Sequence, residues 1–144
     1  MKKSLLKTIG GSTLILAAIV LTLFAGSCKK SNDTVTNFAG NYVGTDSAAA
    51  NGQSLGTQSD TMKIAQASGS SSIVITSTSG AFSPAVTATV SGNNITIPSQ
   101  ANTFNSLPAT VSGTGTLSGT TLKLYINFSE AGTPIANGTF VGVN

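Results

Sequence analysis

The side chains that could carry chemistry are few. Histidine is absent and cysteine occurs once, at Cys28, so a zinc site, a Cys-His nucleophile and a Ser-His-Asp triad are excluded by inventory. Asp46, Asp60 and Glu130 are the carboxylates that could work as a glycosidase-type acid/base pair. Their neighbours are turn-forming residues, which predicts solvated surface positions. A Ser-Lys dyad would need a desolvated lysine, yet Lys63 and Lys123 alternate with apolar residues and are expected on a wet strand face. Calcium would require a cluster of oxygen ligands, and no acidic loop supplies one. The chain is therefore expected not to be an enzyme and to hold no metal or cofactor.

Cys28 has a different chemistry in view. Lys2, Lys3 and Lys7 form a basic head, an apolar run follows from Leu14 to Phe24, and Ala25, Gly26 and Ser27 precede the cysteine. The run is too short to span a bilayer core of about 30 Å, which takes ~20 apolar residues in a helix. Ala25-Gly26-Ser27-Cys28 resembles the bacterial lipobox, which implies cleavage between Ser27 and Cys28 and a lipid on the cysteine. Each buried methylene of an acyl chain contributes ~0.8 kcal/mol, so several chains hold a protein firmly on a membrane. Lys29 follows the cysteine, rather than the aspartate that retains enterobacterial lipoproteins in the inner membrane. The expected location is the outer membrane of the cell envelope, on either face.

The charge balance narrows the partners. Three of the seven lysines lie before Cys28, and from there on Lys29, Lys30, Lys63 and Lys123 cancel Asp33, Asp46, Asp60 and Glu130. Without arginine and without net charge there is no footprint for phosphate, so nucleic acid is not an expected partner.

These groups must be positioned by a small domain. Residues 1–27 read as the lipoprotein signal peptide, with its helix cleaved away, and 28–37 as a polar, flexible tether. Residues 38–144 carry short apolar alternations punctuated by Gly, Ser, Thr and Asn, with no helical periodicity. Leu122, Leu124, Ile126 and Phe128 alternate with Lys123, Tyr125 and Asn127, the pattern of a half-buried strand. Weaker strands are predicted around Thr61–Ile64, Ile73–Ile75, Val86–Val90, Ile95–Ile97 and Ala109–Val111, with hairpins turning at Gly92 and Gly119. Gly40-Asn41-Tyr42-Val43-Gly44 and Gly138-Thr139-Phe140-Val141-Gly142 match in character, as if the first and last strands were neighbours. The expected fold is all-β: a small antiparallel meander of about six to eight strands, closed into a β-barrel or folded as a two-sheet sandwich.

Phe38-Ala39-Gly40-Asn41-Tyr42, together with Val90-Ser91-Gly92-Asn93-Asn94-Ile95-Thr96-Ile97-Pro98, resembles the small lipocalin-like lipoproteins of Bacteroidetes. Tyr42 stands where lipocalins carry tryptophan. The resemblance implies a binding module for a small apolar ligand, lined by Ile73, Ile75, Leu124, Ile126, Phe128 and Phe140.

A second expectation comes from Asp33-Thr34-Val35, Asp46-Ser47-Ala48 and Asp60-Thr61-Met62. They resemble the Asp-Ser/Thr-apolar sequon of Bacteroidetes O-glycosylation, with Thr34, Ser47 and Thr61 as acceptors in the tether or in loops. Ordinary turn chemistry explains the same triplets. If they are glycosylated, the alternative to a ligand carrier is a structural or adhesion-type surface module that meets an envelope partner and has no cavity.

Overall fold

The computed structural model describes residues 35–144. The signal peptide, the Ser27–Cys28 cleavage site, the lipidation site and Thr34 lie outside the described residues. Eight antiparallel strands follow one another: β1 (Gly40–Ala50), β2 (Gln53–Gln66), β3 (Ser72–Ser77), β4 (Val86–Ser91), β5 (Asn94–Phe104), β6 (Leu107–Ser118), β7 (Thr121–Glu130) and β8 (Thr133–Val143). Each pairs with the next, and β8 returns to β1 to close a barrel. The sandwich is thereby excluded and the barrel obtained. The strands run from 6 to 14 residues, longer than the apolar alternations suggest, because Ser and Thr extend them on the pleated backbone.

Alternation decides the two faces. In β4 and β7 every second residue is buried: Val86, Ala88 and Val90, then Leu122, Leu124, Ile126 and Phe128. Val74 departs from the apolar run around it, since it is 40% exposed between buried Ile73 and Ile75. Gly92 and Gly119 sit at φ 55° and 59° in two-residue turns. Positive φ at the first turn residue alone is the pattern that matches strand twist in a tight hairpin.

Closure depends on a pair of glycines. Gly44 faces Gly142 directly across β1 and β8. A Cβ on Gly44 would run into the Val141 carbonyl oxygen and the Gly142 backbone, and one on Gly142 would run into the Phe140 ring. The strands cross where no side chain fits between them.

The two ends of the barrel differ. At the end where the described chain enters, Phe38, Tyr42, Met62, Leu122 and Phe140 are fully buried and fill the interior. The Tyr42 hydroxyl donates to the Phe38 carbonyl at 2.9 Å, and Gln66 accepts from the Phe38 amide at 2.6 Å while donating to the carbonyls of Thr36 and Ser70. These bonds seal that end. At the other end β3 and β4 stop early: β2 pairs with β3 only from Met62 to Gln66. Residues 53–59 therefore project beyond β3, and the segment 78–85 spans the opening in place of paired strand.

Between β4 and β5 main-chain pairing ends at Thr89–Thr96. There the Gln100 side chain imitates a strand, accepting from the Thr87 amide at 2.9 Å and donating to the Thr87 carbonyl at 2.8 Å.

Candidate functional site

The inward side chains become small toward the open end. Along β1 they run Tyr42, Gly44, Asp46, Ala48, and along β8 they run Phe140, Gly138, Ala136. The lost volume appears as a cavity of about 380 Å³, inside the range of small-molecule sites. Asp46, Leu55, Gln58, Ser79, Phe104 and Phe128 are among its walls.

One wall residue is there because of a bulge. Ala48 pairs with Gly56 and Ala49 with Ser54, which leaves Leu55 without a partner. A bulge bends the strand and re-aims a side chain; here Leu55, 56% exposed, lines the cavity mouth. The Phe104 and Phe128 rings, which also line the cavity, pack at 5.1 Å between centroids and 39° between planes.

The polar wall is built on two aspartates. The expectation that Asp46 and Asp60 are solvated turn residues is overturned: both lie in strands, 7% and 4% exposed. The reason is register. Met62 and Ile64 point inward on β2, and two residues before Met62 the same parity turns Asp60 inward; Tyr42 does the same for Asp46 on β1. Glu130 remains exposed beside the β7–β8 turn, as expected.

Asp60 is saturated. Its Oδ1 accepts from the amides of Thr61 (2.6 Å), Thr78 (3.0 Å) and Ser79 (2.7 Å) and from the Thr78 hydroxyl (2.9 Å), while Oδ2 accepts from the Ser77 hydroxyl at 2.6 Å. Burial pushes this carboxyl up, but the hydrogen bonds from Ser77, Ser79 and Thr78 together outweigh it and hold its pKa at about 2. Asp60 thus stays ionised and straps segment 77–81 to β2.

Asp46 behaves in the opposite way. Burial, then a hydrogen bond shared with Asp60 and repulsion by its charge, push the Asp46 pKa up to about 7, against weaker support from Ser79 and Gln58. The Ser79 hydroxyl donates to Asp46 Oδ2 at 3.3 Å. Among the described residues, Asp46 is the only ionisable side chain that lines the cavity. Among the described residues no three His, Cys, Asp or Glu side chains gather as metal ligands would.

The predicted lining residues divide. Ile126 and Phe128 border the cavity, whereas Ile73, Ile75, Leu124 and Phe140 are buried in the filled part of the barrel. Of the acceptors in the Asp-Ser/Thr triplets, Ser47 is exposed on β1, its hydroxyl donating to the Thr139 carbonyl at 3.4 Å, and Thr61 is half-buried on β2. Both stand in paired strands and not in loops, because each follows an inward aspartate in a strand. Among the described residues, Lys63 and Lys123 do not line the cavity, and Lys123 packs 5.0 Å from the Tyr125 ring centre on the outer face.

No family model matches the chain, and neither the curated proteins nor the solved structures contain a significant match to it.

Proposed function

We propose that this protein is a cell-envelope lipoprotein, anchored to the outer membrane through lipid on Cys28, whose barrel is a non-catalytic binding module for a small, largely apolar ligand. The cavity of about 380 Å³ at one end of a closed barrel carries the binding part of this reading. The lipobox resemblance at Ala25-Gly26-Ser27-Cys28 carries the anchoring part.

Val35–Phe38 join the barrel at its sealed end, where the Thr36 hydroxyl meets Asn93 Oδ1 at 3.1 Å, and the cavity opens at the opposite end.

Native mass spectrometry of the protein from its own host in mild detergent, repeated after denaturation, tests the reading. A mass excess lost on denaturation is the expected result. An excess that persists beyond the acyl chains signals covalent glycan instead, and no excess in either state removes the ligand. Replacing Cys28 by Ala is expected to send the protein to a soluble or misprocessed form; retention of acylated, membrane-bound protein would overturn the anchoring.

A further inference from the structure

The walls of the cavity differ in chemistry, and the difference specifies a ligand more closely than its volume does. Apolar and aromatic groups make up part of the lining: Leu55, left unpaired by the bulge, and the Phe104–Phe128 ring pair. The lining also carries Asp46, backed by the ionised Asp60, and among the described residues no lysine or other cation lines the space. Aromatic faces and carboxylates both attract an ammonium ion. A carboxylate ligand would meet uncompensated negative charge in the same place.

We propose that the cavity takes a small ligand bearing an amine or ammonium head, which sits against the Asp46 carboxylate while its apolar body lies on Leu55, Phe104 and Phe128, and that it rejects carboxylates of equal size. This rests on the ligand-binding reading above and names the class of ligand.

Proton linkage supports the assignment. A cation beside Asp46 favours its charged form, so binding displaces the proton that Asp46 holds below a pH of about 7. The elements packed on Asp46 are β2, β8 and segment 77–81. Asp60 is the only charged group these turn toward it: Lys63 of β2 is on the outer face, and neither β8 nor 77–81 contains an ionisable side chain. The pH dependence is therefore that of the aspartate pair.

The test is calorimetric titration of the full chain in mild detergent with phenethylammonium, 2-phenylethanol and 3-phenylpropanoate, at pH 7.5 and 5.5. The ammonium compound is expected to bind most tightly, and more weakly at pH 5.5. Asp46→Asn is expected to weaken it by at least about tenfold, the effect of removing a charged hydrogen-bond partner. Phe104→Leu keeps the apolar wall but removes the ring, and is expected to weaken the ammonium compound more than the alcohol; it carries the test if Asp46→Asn fails to fold. Equal binding of all three compounds, unchanged in both variants, would overturn the cationic assignment and leave the binding module standing. No binding of the ammonium compound also overturns the assignment; the binding module falls with it only if the native protein shows no noncovalent mass excess.

Discussion

Asp46 and Asp60 are diagonal neighbours on the inner face of β1 and β2, because Gly44 pairs with Asp60 and Asp46 with Gln58. Their environments drive them apart: five hydrogen bonds fix the charge on Asp60, and the burial of Asp46 beside that charge favours its neutral form. Most of the behaviour expected of this protein in solution follows from that pair.

Stability should peak near pH 4. The depressed Asp60 stabilises the fold above its unfolded pKa, and this is lost as pH falls from about 4 toward 2. For Asp46 the sign reverses: between about 4 and 7 the unfolded state has released the proton that the folded state keeps, so stability declines as pH rises through that window. Each limb is on the order of a few kcal/mol. Urea unfolding across pH 2–8 reads both, and Asp46→Asn should abolish the decline above pH 4 while leaving the acid limb. A flat profile in the unsubstituted protein would disprove the coupling.

Asp60→Ala should be among the most damaging single changes. It leaves the amides of Thr78 and Ser79 and the Ser77 hydroxyl without their acceptor, a loss of roughly 3–5 kcal/mol. Hydrogen exchange should rise first in segment 77–81, and uniform exchange along the chain would contradict its role as a strap.

Gly44→Val should prevent closure, since the new side chain meets the Val141 carbonyl and Gly142. Steric conflict with backbone cannot be relieved by a rotamer change, so a loss of about 3 kcal/mol or more is expected, by chemical denaturation. Wild-type stability in this variant would mean that β1 and β8 are not held in this register.

Gln100→Ala removes the two bonds that replace main-chain pairing to Thr87, at about 2 kcal/mol. Gln100→Glu retains an acceptor for the Thr87 amide but loses the donor to its carbonyl, and should fall between the two. An effect below about 0.5 kcal/mol for Gln100→Ala would show that the seam is held by other contacts.

Ala48→Leu should fill the cavity from β1, where Ala48 stands among its walls. Folding stability should stay within about 1 kcal/mol, because the space is already there to receive the added methylenes. Capacity for any ligand should disappear; binding that survives this change would place the ligand elsewhere.

Much of the barrel was legible in the residues themselves. Alternation in Leu122–Phe128 identified a strand with one buried face, Gly92 and Gly119 marked hairpins, and the matching segments around Tyr42 and Phe140 pointed to neighbouring first and last strands. The observed pairing of Asp46 with Phe140 and Gly44 with Gly142 is that neighbourhood. These features are local, set by side-chain period and turn conformation, and need no knowledge of distant contacts.

The site was different. Asp46 and Asp60 stand beside Ser and Thr, where turn chemistry is the usual reading, and only extending the parity of Met62 and Tyr42 would have turned them inward. Even that would not have brought them together, since fourteen residues and a hairpin register separate them. Nor does the sequence distinguish Ile126 and Phe128, which border the cavity, from Ile73 and Leu124, which fill the barrel. Periodicity determined which side chains point inward. Only the tertiary structure decided the height at which each one sits, because that height depends on strand register, on the bulge at Leu55 and on where β3 and β4 stop.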